Sequence, residues 1–270
     1  MGGEEARAGI RGALVSLPPD VSADRFDRLH EAAEGSTLLP RLGAQAFGMD
    51  WPAEVDPFGG TTWWTLGRFV AGLRVGPGEL LVDLACGRGG VGLWLARATG
   101  ARLIGVDFSA AAVRAAAARA PRFVPVGRAE FAVGQLTDSG LADALADGLV
   151  CVDAVFFAAD RIAAVAEIGR LLRPGRRAMV TTVESDDDRP AAVPDWRPVV
   201  EAGGLRVVDR EVIPGFPERV LRMYELWSAH ADELGAELGE EVAALLLEEA
   251  RQGGPVLTQS TAWVYTLEQP

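Results

Sequence analysis

From residue 79 onward, short apolar runs of strand length alternate with stretches whose apolar residues recur every three or four positions. The strand-like runs are ELLVDL (79–84), RLIGVD (102–107), EFAVG (130–134), GLVCVDAV (148–155), RAMVTTVE (177–184), LRVVDREVI (205–213) and TAWVYTLEQ (261–269). Between them lie helical patterns. Val91, Trp94, Leu95 and Ala98 share a face, Ser109 precedes an Ala-rich segment at 110–120, and 160–172 ends at Arg173-Pro174-Gly175. Strand–helix–strand units of this kind predict an α/β fold: a mostly parallel, seven-stranded sheet with helices on both faces. Upstream, Phe26, Leu29 and Ala33 follow the N-cap candidate Ser22, and Leu38, Leu39 and Leu42 follow Gly35. A loop at 50–60 and a helix at 62–73 complete a predicted N-terminal helical cap, 21–75. Residues 1–20, rich in Gly, Ala and Pro, read as a flexible terminus, and 76–270 as one core. Within that core 214–259 is a helical insertion before the last strand. Its Val220, Met223, Tyr224 and Trp227 recur at helical spacing, so 216–251 reads as a lid.

Composition narrows the function classes. The chain has 270 residues, 49% of them hydrophobic, and a formal net charge of -12, and every basic residue is Arg. An acidic chain without a dense Arg run repels a phosphate backbone, so no nucleic-acid partner is expected. Two cysteines, Cys86 and Cys151, allow at most one bridge and make no metal cluster. The acidic run ESDDDR (184–189) reads as a solvated loop, so no metal is expected. No signal segment and no apolar run of spanning length is visible, which predicts a cytoplasmic protein without a membrane partner. A homodimer stays open.

GRGGVG (87–92) fits the spacing of a dinucleotide fingerprint, follows a predicted strand and opens a helix, with Asp107 twenty residues on. Asp83, four positions before Gly87, separates two cofactors. A carboxylate beside a diphosphate is repulsive where water is scarce, whereas the ammonium and sulfonium of S-adenosylmethionine (SAM) suit an anion there. The charge arrangement favours SAM over NAD.

VDLACGRGG (82–90) resembles the first motif of class I SAM-dependent methyltransferases, with Ala85 in place of the first glycine and Cys86, Gly87 and Gly89 following. The resemblance implies a Rossmann-like class I methyltransferase fold with SAM as cofactor and S-adenosylhomocysteine (SAH) as product. VDFS (106–109) is similar to the second-strand acid of that family, which implies that Asp107 holds the ribose hydroxyls and Phe108 packs on adenine. VGQL (133–136) aligns Gly134, Gln135 and Leu136 with a Gly-Asp pair, Gln135 standing where a carboxylate usually faces the adenine amine. Residues 149–175 resemble the fourth strand, helix and turn, with Cys151 and Asp153 where that strand delivers residues to the methyl group. The whole pattern looks closest to actinobacterial small-molecule methyltransferases of secondary metabolism, including antibiotic biosynthesis.

Methyl transfer is a direct displacement, so positioning and water exclusion can supply most of the catalysis. A base matters only if the acceptor loses a proton. The candidates are His30, Asp153 and His230, each weighed against a packing or ion-pair role. Trp51, Phe58, Trp63, Phe157, Tyr224 and Trp227 are candidates for the wall of an apolar acceptor pocket, and Thr62 for the SAM carboxylate or else a helix cap. The leading expectation is a methyltransferase acting on oxygen, nitrogen or carbon of a small apolar metabolite. Its competitors are a cyclase or rearrangement catalyst that keeps SAM as a held cation, an NAD-dependent oxidoreductase and a non-catalytic binding protein.

Overall fold

The computed structural model describes residues 22–185 and 192–270, so the expected flexible segment 1–20 and most of the acidic run 184–189 lie outside the described residues. Two helices come first, α1 (Ala23–Ala33) and α2 (Leu38–Phe47), and α3 (Trp63–Leu73) leads into the sheet. Then follow β1 (Leu80–Leu84), α4 (Gly90–Thr99), β2 (Arg102–Asp107), α5 (Ala110–Arg119), β3 (Ala129–Val133), β4 (Ala146–Cys151), α6 (Arg161–Leu171) and β5 (Leu172–Ser185). The chain ends with α7 (Arg197–Ala202), β6 (Arg206–Val212), α8 (Phe216–Ala229), α9 (Ala231–Leu238), α10 (Glu240–Leu257) and β7 (Ser260–Glu268).

The seven strands are ordered β3-β2-β1-β4-β5-β7-β6. All pair in parallel except β7, which lies antiparallel between β5 and β6. From β1 the chain winds outward through β2 and β3 and then returns to place β4 on the other side of β1. That reversal opens a crevice at the carboxyl ends of β1 and β4, where sheets of this kind bind ligands.

Alternation along the strands divides the core in two. Leu81, Val150, Met179 and Val264 face a layer built from the cap, α3, α4 and the insertion. Val82, Leu149, Val180 and Tyr265 face α6 and α7, where Ile168, Trp196 and Val200 close the layer. The cap and the insertion therefore share one apolar core: Leu42 and Trp51 from the first belong with Met223, Trp227 and Leu246 from the second.

Four details differ from the pattern read in the sequence. β4 stops at Cys151, not at Val155, because Asp153 takes a left-handed φ of 52° and 155–157 coil into a short 3-10 turn. β5 starts at Leu172, where a turn was expected: Ala146 pairs with Leu172 and Gly148 with Arg177, so 173–176 bulge out of the ladder. α7 was not anticipated, since one six-residue helix carries too little periodicity. The insertion is three helices, broken at His230 and Gly239.

Candidate functional site

Residues 84–90 leave β1 as a tight turn into α4. Ala85, Gly87 and Gly89 adopt positive φ values of 62°, 52° and 73°, so the one side-chain-bearing residue of the three sits in a left-handed conformation that favours glycine. Asp83 is buried, and its Oδ2 accepts from the backbone N–H of Gly92, 3.0 Å away in the first turn of α4. Gly92 has to be bare, because a Cβ there would lie 2.5 Å from that oxygen. Burial pushes the Asp83 carboxyl up to about 7, with the nearby Asp107 charge adding to the effect. Asp107 ends β2, also buried and also raised by desolvation; its oxygens accept from Gly87 N (2.8 Å) and Ser109 N (2.9 Å). Among the described residues no cationic side chain pairs with either acid.

The cap helix α1 lies over this end of the sheet. Phe26 packs on Phe108 with ring centroids 5.1 Å apart, and Asp27 accepts from the Ser109 hydroxyl and from Ala111 N, which holds α1 against the start of α5. Those hydrogen bonds keep the Asp27 carboxyl below its ordinary range. His30 is buried against Phe58 (5.8 Å between rings), and its Cε1 lies 3.8 Å from where a Cβ on Gly87 would be. Desolvation and then the Arg88 charge pull its pKa down to about 4, so the ring is neutral at pH 7. Arg88, inside the turn, donates to Ala33 O at the end of α1 (3.0 Å) and pairs with Asp56 (2.8 Å) in the loop before α3. One side chain thus fastens the turn, the cap and that loop together.

A narrow cleft beside this centre is lined by Leu39, Trp51, Phe58, Arg88, Met223 and Trp227, bringing cap and insertion together. His30 Nδ1, Trp51 Nε1 and Arg88 Nε are buried without a hydrogen-bond partner, and all three side chains border the turn or the cleft. Orphaned polar atoms in one place, beside two unneutralised carboxylates, fit a ligand that combines cationic groups with hydrogen-bond donors and acceptors. SAM has that composition.

Asp153 projects from the left-handed position after β4. Its Oδ1 accepts from the Thr181 hydroxyl (2.8 Å) and its Oδ2 from Gly60 N (2.8 Å), drawing the 57–60 loop onto β4 and β5. Gly59 passes so close that a Cβ would sit 2.3 Å from Oδ2. Burial raises this carboxyl too. Cys86 and Cys151 are buried free thiols, both raised by desolvation, so neither is an activated nucleophile.

The remaining candidates are placed as follows. Gly134 is half-buried with its N–H on Asp107 O, Gln135 is exposed in a small turn with Asp138, and Leu136 packs on the second core layer. Thr62 caps α3 by accepting from Thr65 N. Trp63 is 37% exposed with its ring on Trp94, and Phe157 is 39% exposed on Phe156, so neither reaches the cleft-lining group. His230 ends α8, with Nδ1 on Leu226 O (2.9 Å) and Nε2 facing Glu233. Phe26, Asp27, Arg88 and Thr181 were not among the site candidates read from the sequence. Only Arg88, inside the glycine-rich turn, carried any local signal. No cluster of His, Cys, Asp or Glu able to hold a metal occurs among the described residues, and no described helix is long and apolar enough to cross a membrane.

Comparison with known proteins adds a domain match and a set of similar proteins. A family model described as a methyltransferase domain matches residues 81–175, the segment that carries the turn, both acids and the Asp153 strand end. The O-methyltransferase cnsE of Penicillium expansum is 26% identical over 208 residues, covering 69% of this chain and 74% of the relative. The curated relatives found are mostly fungal, with a methyltransferase of Streptomyces halstedii among them, so a specifically actinobacterial affinity is not established. Among solved structures, the cyclopropane synthase MmaA2 of Mycobacterium tuberculosis superposes with a TM-score of 0.69 at 15% identity, over 90% of this chain and 98% of its own. The [4+2]-cyclase SpnF does so at 0.67 and 18%, over 89% and 96%. At these identities the structures speak for the fold alone. The seven-stranded sheet with its antiparallel β7 and the glycine-rich turn give this chain the Rossmann-like methyltransferase fold, and its segment 81–175 matches a methyltransferase domain like that of the SAM-dependent methyltransferases it is similar to.

Proposed function

We propose that the chain transfers the methyl group of SAM to a small, largely apolar metabolite of secondary metabolism and releases SAH. The observation that carries this reading is the pair of buried carboxylates Asp83 and Asp107, set on either side of the 85–89 turn and opening beside a cleft walled by Trp51, Phe58 and Trp227. In this reading Asp107 receives the ribose hydroxyls on the lone pairs that Gly87 and Ser109 leave free. Phe108, backed by Phe26, packs on adenine, and Gln135 and Leu136 border it. Asp83, with Ala85, Cys86, Gly87 and Gly89 around it, offers its charge to the cationic end of the cofactor, and the His30, Trp51 and Arg88 nitrogens lie within the same pocket. Cys151 and Asp153 belong to the strand end that meets the acceptor, and we assign Thr62 to helix capping.

SAM, when bound, supplies an electrophilic methyl group on a sulfonium. The chain contributes positioning and dryness: α1 covers the nucleoside end, and the aromatic cleft orients the acceptor. Asp153, with its raised pKa and fixed hydrogen bonds, is the carboxyl best placed to orient an acceptor proton. His30 is too weak a base at about 4 to lead that role and acts as a neutral hydrogen-bonding group. We assign Trp63, Phe157 and His230 to packing.

Asp107→Ala tests the cofactor assignment. Loss of charge-assisted hydrogen bonds weakens SAM binding by about 1.5–3 kcal/mol, read by calorimetry on a variant with an unchanged circular dichroism spectrum. Unchanged affinity would remove Asp107 from the site. The fold likeness to SpnF favours a second reading, in which a methyltransferase fold promotes cyclisation with SAM retained. Stoichiometric SAH on turnover, measured by mass spectrometry, supports methyl transfer; product without SAH supports the second reading.

A further inference from the structure

The cleft between the cap and the insertion is apolar along most of its wall, where Leu39, Phe58, Met223 and Trp227 meet. Tyr224 backs Trp227 from outside this group, with ring centroids 5.4 Å apart and its hydroxyl committed to Glu249. The polar demand inside the cleft comes from two other residues. Trp51 follows the short 3-10 turn at 48–50 and folds its indole back onto α2. A Cβ on Gly43 of that helix would sit 2.6 Å from Cζ2 and 3.0 Å from Cε2, the ring carbon bonded to Nε1. Gly43 is bare where the nitrogen-bearing edge of the indole settles, and it lines the cleft itself. Trp51 is 7% exposed, and its Nε1 is buried without a hydrogen-bond partner. Arg88 reaches the same cleft from the cofactor turn. Its terminal nitrogens are taken by Ala33 O and Asp56, while its Nε is buried and unpartnered. His30, whose Nδ1 is also unpartnered, lies against the turn and outside the cleft-lining group.

An N–H buried away from water without an acceptor is costly, so a cleft wall that holds two of them is built to receive an acceptor atom from outside. An indole and a guanidinium can only donate. Their two hydrogens match the two lone pairs of a carbonyl oxygen, a group that only accepts. Charge narrows the class further. Asp56 already meets the Arg88 charge at 2.8 Å and lines the cleft as well, so an entering carboxylate or phosphate would be repelled. Size agrees, since the free volume of the cleft is about 20 Å³, room for one water-sized group. Resting on the methyltransferase reading above, we propose that Trp51 and Arg88 form a carbonyl anchor, and that the acceptor is an apolar metabolite carrying a neutral ketone, ester or lactone oxygen. That oxygen takes the hydrogen bonds of Trp51 Nε1 and Arg88 Nε, and the hydrocarbon frame lies against Phe58 and Trp227. Both residues touch the acceptor and hold it. Neither takes part in the bond changes, and the methyl group goes to another atom of the same molecule.

The test uses three probes on one bicyclic frame: 1-tetralone with a carbonyl, tetralin without one, and tetralin-1-carboxylate with a charge. Each is titrated by saturation-transfer NMR into the full chain with and without SAH. The wild type is expected to bind 1-tetralone at least about fivefold more tightly than tetralin, and more tightly than the carboxylate. In isotope-labelled protein the Trp51 indole N–H signal, identified by its loss in Trp51→Phe, moves downfield with 1-tetralone and stays in place with tetralin. Trp51→Phe keeps an aromatic wall without the donor and cuts the preference for the ketone at least about twofold, with SAH affinity unchanged. Equal binding of the two neutral probes by the wild type is the result expected if the donors hold only a water, and it overturns the anchor. No binding of 1-tetralone, tighter binding of the carboxylate, or a preference that survives Trp51→Phe while SAH affinity falls would overturn it too. The wild-type comparison needs no variant, so it decides even where Trp51→Phe fails to fold. Failure of the wild type to bind SAH would instead overturn the cofactor reading, and the two neutral probes would still decide the anchor separately.

Discussion

Ala85 occupies a position where its backbone, at φ 62°, would be relaxed only as glycine. A left-handed conformation costs an L-residue about 1–2 kcal/mol, and glycine gives back roughly 0.5–1 kcal/mol in unfolded-chain entropy. Ala85→Gly is therefore expected to stabilise the protein by about 0.5–1 kcal/mol, seen as a higher urea midpoint at constant slope; a lower midpoint would mean that the methyl group packs in a way that outweighs the strain. Asp83 makes a second prediction, in pH. Its folded-state pKa, raised to about 7 from 3.8, means that between those values the ligand-free protein holds a proton that the unfolded chain has released. This group's contribution to stability therefore falls as pH rises through that window. A cationic cofactor needs the ionised form, so SAM affinity should rise with pH, by up to about tenfold per unit below 7, and level off above it. His30, lowered to about 4, acts in the opposite sense on stability between 4 and 6.5, gaining as pH rises. Calorimetric titrations of the wild type and Asp83→Asn from pH 5.5 to 8 separate the two, since the slope due to Asp83 vanishes in the variant.

At the level of elements, the inner strands β1 and β4 were legible because they are buried on both faces and so read as short apolar runs. The turn after β1 was legible because its backbone needs glycines at fixed spacing, and Asp107 because the fingerprint sets its distance. What the sequence hid are contacts between elements far apart in the chain. Asp27 and Phe26 look like ordinary positions on an amphipathic helix, and only the docking of α1 on the β2–α5 connection gives them a role. Trp63 and Phe157 looked like pocket walls because aromatic residues near a site are usually buried, but their neighbours Trp94 and Phe156 hold them at the outer surface. Arg88 is the element-level link with the clearest consequence, joining the turn to α1 and to Asp56 through a side chain only 10% exposed. Arg88→Met leaves Ala33 O and the Asp56 carboxylate without their partner, and should lower the unfolding free energy by about 1.5–3 kcal/mol in urea titrations. A change below a few tenths would mean that the cap is held by its apolar contacts alone.

Across the whole molecule, the function proposed above has the cofactor end covered by a helix that precedes it in sequence and the acceptor end by the helices inserted before the last strand. Asp107 is only 5% exposed beneath α1, which leaves no entry to its carboxylate while the helix is seated. Besides the buried Leu29, His30 and Ala33, α1 is seated by the Phe26–Phe108 pair, the Asp27 hydrogen bonds, the Arg88 link and the exposed ion pairs Arg114–Glu31 and Arg28–Glu241, which add little. Local opening of this one helix costs less than global unfolding. If Asp107 holds the cofactor as proposed, ligand entry is expected to need α1 to swing away while the seven strands stay paired, with a bound cofactor adding its binding energy to the closed state. Amide hydrogens of residues 23–33 should accordingly exchange much faster than those of β1 and β4 in the ligand-free protein. Saturating SAH should slow them at least about tenfold, since ligand at 100 times its Kd adds about 2.7 kcal/mol to the closed form, while β1 and β4 change little. Hydrogen–deuterium exchange read by mass spectrometry decides it: equal protection of α1 with and without SAH would mean that the cofactor enters by another route.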